Sequence, residues 1–497
     1  MIWTREIAFS LLLAIPGSLA VEAEAPEEGL RLLDAIALTL ENDPNVALTQ
    51  SQVKSFEGAW LIAASRFDPD LTADVQHSQD EVAPPSVDAS TLTTGLGLTG
   101  ELRSGLDLES SVDLTRIDAA GDPVNTATVS FVIRQPLLRG RGQDVVTANE
   151  QAAERELEAS RLDGEHRVAE RLLAVASQYW RVRAAAEDLE VLRFTEDSSR
   201  ELLGTTRRLI EADVTPAAEI IQLEADLVSR EANRIAGERV LFQARQDLGR
   251  EIGLPYEEIA VLPLPADVFP VLDAEEVSVG AAKRWIGEAL ERRADLRAAA
   301  ERRSAAEQRF IAADDALRPR LDLVFNPSYS GRVDGGGAGD FLQPLTEIPG
   351  LSASLALSYG WPLRNRNATG ALLQAEATVE QSVLAWELVA RAIGADVPAA
   401  LDAVRRNAEQ LAKFEEAEGF FTKTLENEIK KLRAGSSTLV DVITQRDRLT
   451  AIQRQQVTAR LALAVSILEL RFETGTLFDV GAGAGSVNAE SLTTLPF

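Results

Sequence analysis

The sequence predicts a mainly α fold, internally duplicated, in which long antiparallel helices are joined to amphipathic strands of the kind a transmembrane β-barrel uses. Three observations predict it. Residues 37–75 align without gaps with residues 287–325, at an offset of 250. Residues 144–210 and 371–433 keep helical patterning over unusual lengths. Ahead of each of these stretches, apolar and polar residues alternate.

The repeat comes first, because it sets the order of everything else. Leu40 meets Leu290, Glu41 meets Glu291, Asn45 meets Asp295, Glu57 meets Glu307 and Pro69 meets Pro319. In both copies a helical pattern ends at the proline and an alternating stretch begins. Leu71, Ala73 and Val75 share one face of a strand, and Leu321, Leu323 and Phe325 share the matching face. Ala127, Val129, Phe131 and Ile133 then alternate ahead of Gln135-Pro136-Leu137. Their counterparts are Leu351, Ala353, Leu355, Leu357 and Tyr359, ahead of Trp361-Pro362-Leu363. Period-two patterning marks half-exposed strands, and it fits a membrane barrel and a soluble β-layer equally well.

The halves differ in length. Pro69 and Pro136 are 67 positions apart and Pro319 and Pro362 are 43 apart, so the first half carries 24 extra residues. They fit an added hairpin: Leu92, Leu96, Leu98 and Leu102 alternate, Arg103-Ser104-Gly105 turn, and Leu106, Leu108, Ser110 and Val112 alternate again. The hairpin either joins the other strands or extends a surface loop.

A helix over 144–210 would be roughly 100 Å long at 1.5 Å per residue. The second half repeats it over 371–433, with Pro398 as the one expected kink. Each long helix ends in a short turn and returns. In the first turn, 211–219, Thr215 suits a helix cap, Pro216 the first helical position and Glu219 the first turn. In the second, 433–441, Gly435 suits a helix C-terminus and Ser436 or Ser437 the next cap. The returning helices run to about Gly253 and Gly475.

Composition narrows the function. The chain has 497 residues, 45% of them hydrophobic but only 5% aromatic, which favours helices packed side by side over a compact enzyme core. A formal net charge of −28 repels nucleic acid, so no nucleic-acid partner is expected. With no cysteine there are no disulfides, thiol nucleophiles or zinc–thiolate sites. The two histidines, His77 and His166, lie far apart and sit in no metal or triad motif. No catalytic residue, metal site or cofactor is therefore expected. Residues 1–25 read as an export signal: Arg5 supplies a basic start, Ile7 begins an apolar run broken by Pro16-Gly17, and small residues follow at Ser18, Ala20, Ala23 and Ala25. No later segment is long and apolar enough for a transmembrane helix, so any span of a membrane must be a closed β-barrel.

The order helix, strands, long helix, turn, helix, given twice, resembles the TolC-like outer-membrane factor family. The resemblance runs from about Leu30 to Phe478. It rests on the export signal, the duplication, Gln135-Pro136-Leu137-Leu138-Arg139-Gly140 after a strand, and the run from Ala434-Gly435 to Asp441-Val442 at a helical turn. It implies a long antiparallel α-helical tunnel plus a trimer-shared β-barrel, twelve strands in all, in the Gram-negative outer membrane and reaching into the periplasm. It implies a homotrimer, contact with outer-membrane lipid, a periplasmic adaptor, or membrane fusion, protein and an inner-membrane pump. The chain would be the passive exit duct of a tripartite efflux or type I secretion system, not an enzyme. A structural periplasmic coiled-coil adaptor or scaffold is the alternative, which leaves the duplicated strands unexplained.

On this reading the chain divides into a signal peptide (1–25), first-repeat N-terminal helices (26–68), first-repeat barrel strands with the extra hairpin (69–136) and first-repeat tunnel helices (137–255). A proline-rich linker (256–275) leads to second-repeat helices (276–318), barrel strands (319–362), tunnel helices (363–478) and a flexible C-terminal tail (479–497). The resemblance places both helical turns at the periplasmic mouth, with Asp213, Val214, Thr215, Ser436 and Thr438 as adaptor contacts and Gly435, Ser437, Asp441 and Thr444 as the entrance gate. Asp441 matches the family's first aspartate. Thr444 stands where the family has a second acid, and Ser437 where it has a basic linking residue, so the usual latch is altered. Asp441 either concentrates cations at the entrance or serves its own helix start. The glycine-rich run 333–340 lacks a following Lys-Ser/Thr and fits an interstrand loop better than a phosphate site. Trp180, Trp285 and Trp386 read as packing residues, and Tyr359 and Trp361 as candidates for the membrane interface.

Overall fold

The computed structural model describes residues 29–81, 88–119, 122–211, 219–272, 282–335, 340–346, 350–434, 436–477 and 492–496. The expected export signal, Gly435, and the turn residues Asp213, Val214 and Thr215 lie outside them. The chain falls into two compact units: Met1–Gln50, Leu162–Arg297 and Val389–Phe497 form one, Ser51–Arg161 and Ala298–Leu388 the other.

The duplication is visible in the helices. The first pair, α1 (Leu32–Asn42) and α2 (Pro44–Ala64), recurs as α7 (Ala282–Arg292) and α8 (Ala294–Asp315), each starting 250 residues later. Leu32, Ala35, Ile36 and Thr39 are buried along α1, the spacing of one helical face. A four-residue helix α3 (Gln143–Val146) leads into α4 (Ala148–Glu211), which returns as α5 (Glu219–Ile252) and ends in the short α6 (Tyr256–Val261). The second half supplies α9 (Arg366–Arg433), which carries Pro398 within it, and α10 (Leu439–Glu473). Beyond α5 and α10 stand Gly253 at φ 85° and Gly475 at φ 67°, left-handed positions that end helices cheaply only as glycine. A side chain at Gly253 would come within 2.9 Å of the Asn42 carbonyl oxygen.

The core of the first unit gathers around two aromatics on α4. Tyr179 and Trp180 are fully buried, and Trp180 stacks on Phe269 with ring centroids 5.2 Å apart. Phe269 belongs to the proline-rich linker, which is thereby pinned to the core. The linker also forms a bridge between Leu30 and Pro265, and Asp267 accepts bonds from the Leu32 amide (2.6 Å) and the Tyr179 hydroxyl (2.6 Å). Burial and the Asp267 carboxylate push the Tyr179 phenol up. The expected flexible tail is corrected at its end: Leu492 is buried in this core, and Arg471 donates to the Thr494 carbonyl at 2.7 Å. A buried guanidinium needs acceptors, and the carbonyls of Thr494 and Leu495 supply them; burial still pulls Arg471 down to about 10.

The second unit holds one six-stranded antiparallel sheet in the order of the chain: β1 (Asp70–Glu81), β2 (Asp88–Glu101), β3 (Asp107–Asp118), β4 (Val124–Pro136), β5 (Arg320–Asp334) and β6 (Gly350–Gly360). The extra hairpin, left open by the sequence, is β2 and β3, and it pairs with β1 and β4 inside the sheet. Its glycines have a packing reason. A Cβ at Gly95 would lie 2.5 Å from Asp74 Oδ1, and one at Gly97 2.7 Å from Thr72 Oγ1, so side chains of β1 lean over the bare backbone of β2.

Register makes the two faces unlike. Ala73, Leu96, Val112, Val129, Tyr329 and Leu351 are successive partners across all six strands. One residue along each strand, the partners are Thr72, Gly97, Ser111, Ser130, Ser328 and Ser352, with serine hydroxyls 2.7 Å apart between β3 and β4 and between β5 and β6. On the apolar face Leu71, Val75, Leu351, Leu355 and Leu357 are exposed. Tyr359 and Trp361, at the end of β6, are exposed with them.

Candidate functional site

The site named by the sequence is the turn between α9 and α10. Lys430, Lys431 and Arg433 occupy the last turn of α9, where positive charge suits the carbonyl end of a helix. The Ala434 amide donates to the Lys430 carbonyl (3.1 Å) and the Ser436 amide to the Lys431 carbonyl (3.0 Å), closing the helix. The next helix is capped by Thr438, not by the expected Ser436 or Ser437. The reason is spacing. Asp441 lies three residues after Thr438, and the two form a reciprocal capping box. Thr438 Oγ1 accepts from the Asp441 amide (3.3 Å), and the Asp441 carboxylate accepts from the Thr438 amide (3.1 Å).

Asp441 thus stabilises the start of its own helix while its side chain stays exposed. The Thr438 hydroxyl and amide hold its carboxyl below the usual carboxylate range. A depressed carboxyl contributes stability at neutral pH that is lost as pH falls through its folded value. Ser437 donates to Glu428, and its hydroxyl oxygen lies 3.4 Å from Asp441 Oδ2. Ser437 and the Lys431 ammonium, 3.0 Å from Glu428 Oε2, hold the Glu428 carboxyl below its usual range too. Thr444 donates to the Val440 carbonyl of its own helix at 2.8 Å.

Ties between the two hairpins lie further along the helices, and the sequence did not disclose them. Leu203 of α4, Leu223 of α5 and Leu439 of α10 bury one another beside Leu432 of α9. Behind them Arg230 of α5 donates to Asp226 (2.9 Å) and to Asp447 of α10. Ser199 of α4 donates to Asp226 at 2.9 Å, and Thr195 meets Thr450 at 3.3 Å. Burial would raise the Glu196 carboxyl, but Arg234 and Arg200 hold it below the usual range. Beside this network the Arg446 guanidinium is pulled down by burial, and its Nη1 has no hydrogen-bond partner among the described residues. Polar links therefore run between the first-half and second-half hairpins. No signal short of a contact map pairs Arg230 with Asp447, which is 217 residues away. Among the described residues no cluster of histidine, aspartate and glutamate could hold a metal ion.

Residues 285–476 match the model of the outer membrane efflux protein family. The chain is 23% identical to the outer membrane protein TolC of Vibrio cholerae, over 63% of this chain and 70% of that one. It is 27% identical to the pyoverdine export outer membrane protein OpmQ of Pseudomonas putida, over 67% and 73% respectively. Among solved structures, the Campylobacter jejuni CmeC outer membrane channel superposes with a TM-score of 0.65 at 14% identity, over 93% of this chain and 89% of that one. The outer membrane protein VceC of Vibrio cholerae gives 0.64 at 16% identity, over 89% and 96%. At these identities the structural likeness speaks for the fold.

Proposed function

We infer that this chain, a TolC-like outer-membrane efflux protein, is the passive exit duct through which a periplasmic pump complex discharges its substrates. It sits in the outer membrane, and its family is one of channels, not enzymes. The observation that carries the reading is the sheet, with one apolar, exposed face and two unpaired edges, β1 and β6. In water such a face invites aggregation; in lipid it is at home, but open edges are not, because each unpaired backbone group there costs several kcal/mol. Further copies of the chain satisfy both conditions by closing a ring.

A second surface supports assembly of copies. Ile221, Val228, Ile235 and Phe242 recur every seven residues along α5, and all four are exposed. Ala225 and Ala232 fall between them at the complementary heptad position and are exposed as well. This is a coiled-coil seam without a partner in the single chain. A homotrimer, which the family resemblance implies, covers it. Outer membrane efflux proteins work with a periplasmic adaptor and an inner-membrane pump. For this chain the proposed adaptor contact is the helical turns, through Ser436 and Thr438 and through Asp213, Val214 and Thr215 beyond the described residues. Purified protein in planar bilayers is expected to give stepwise ionic currents; a freely water-soluble monomer that never conducts overturns the duct.

Two predictions concern the mouth. Repeated around a three-fold axis, Asp441 concentrates cations at the entrance. Asp441→Asn keeps an oxygen for the Thr438 amide and removes the charge, so block by divalent cations should weaken, with only a small loss of thermal stability from the uncharged helix cap. Unchanged block removes Asp441 from that role. In place of the family's latch, whose basic residue is Ser437 here, the Arg230–Asp447 pair ties the hairpins. The Asp447 side chain is 53% exposed, so its loss should change stability by only about 0–1 kcal/mol. Asp447→Asn should nevertheless raise the open probability of single channels. Wild-type gating in this variant sinks the latch.

A further inference from the structure

We propose that the added hairpin, β2 and β3, is a lipid-facing part of the barrel wall, so that three copies of this chain close an eighteen-strand ring instead of the twelve the family resemblance implies. The proposal rests on the duct reading above and adds to it the membership of one hairpin and the width of the bore.

Three features of the hairpin argue for it. First, it is paired on both sides along its length: β1 meets β2 from Asp70↔Thr99 to Glu81↔Asp88, and β3 meets β4 from Asp107↔Arg134 to Ile117↔Val124. Excising it would leave β1 and β4 without their neighbours, so it is no flap laid on a finished sheet. Second, its strands are 14 and 12 residues long, against 12, 13, 15 and 11 for the other four. All meet the roughly 9–11 residues that a tilted strand needs to cross the hydrocarbon layer.

Third, its two faces are in phase with those of its neighbours. Leu96, Leu98, Leu108 and Val112 fall on the face of Ala73, Val129 and Leu351, and Leu96, Leu98 and Leu108 are exposed there. The acids Asp107, Glu109 and Asp113 fall on the opposite face with Ser111 and Ser130, while Arg116 and Asp118, on the leucine face, stand at the far end of β3 beyond the leucines. A hairpin standing in water would have no cause to separate leucine from carboxylate in the register of the strands beside it. One between lipid and a water-filled bore has that cause on both sides. Because strands keep a fixed spacing, the ring widens in proportion to strand number, so eighteen strands make it about half as wide again as twelve.

The chain has no native cysteine, so a single engineered thiol gives a clean label. Full-length Leu96→Cys, Leu355→Cys and Ser111→Cys, each carrying a polarity-sensitive fluorophore, would be reconstituted in phosphatidylcholine vesicles with and without brominated acyl chains. Brominated lipid should quench the labels at positions 96 and 355 roughly twofold and leave that at 111 nearly unchanged, as a lipid-outside, water-inside wall requires. Quenching at 355 without quenching at 96 puts the hairpin off the wall and overturns the proposal while the duct stands. Quenching at neither overturns both. Leu98→Cys repeats the first position should Leu96→Cys fail to assemble.

Discussion

Val129→Arg is expected to keep the protein out of the membrane, whereas Ser130→Arg, one residue along, is expected to be tolerated. Val129 lies in the apolar row with Val112 and Tyr329, and Ser130 in the hydroxyl row with Ser111 and Ser328. An arginine facing lipid near the bilayer midplane costs about 2–4 kcal/mol, and in a symmetric ring every copy carries it. An arginine facing a water-filled bore keeps its hydration and changes ion selectivity instead. The measurement is the yield of protein inserted into vesicles, with single-channel selectivity for the variants that insert. Equal yields for the two arginines would refute the assignment of faces, because nothing else distinguishes two neighbours on one strand so sharply.

Trp180→Ala should be the most damaging change in the helical unit, costing about 3–5 kcal/mol through lost burial and the cavity left behind. Trp180 is fully buried between Tyr179 and the linker residue Phe269, so its removal loosens the helices and the linker that joins the two repeats. Its Nε1 has no hydrogen-bond partner among the described residues. Trp180→Phe, which sacrifices volume but no bond, should therefore cost clearly less than alanine. Thermal melting followed by the helical circular dichroism signal tests the order. An alanine variant that melts with the wild type would mean the aromatic cluster is not what holds the linker.

Much of the fold was legible because its punctuation is local. Pro69 and Pro319 announce the change from helix to strand, and alternation from Leu71 or Leu321 onward needs no distant partner to be seen. The cap of α10 was legible in principle. Ser436, Ser437 and Thr438 are all good capping residues, and only the three-residue step from Thr438 to Asp441 decides among them. The anchored end was hidden for a different reason: the glycines and alanines around 481–485 suggest looseness, while Leu492 and the acceptors for Arg471 declare themselves only once α10 is in place. The Arg230–Asp447 link is of the same kind. Charges at helical spacing are ordinary solvated surface until two distant helices are set side by side.

The meander order of the sheet also limits how such a wall can grow. β1 and β6 run in opposite directions, so the outer edge of one molecule can pair antiparallel with that of an identical neighbour. Inserting a single strand would turn that seam parallel and carry the chain out on the wrong side of the bilayer. Whole hairpins are thus the smallest step by which this lineage could have altered its aperture, and the unequal halves of the duplicated chain differ by one such step.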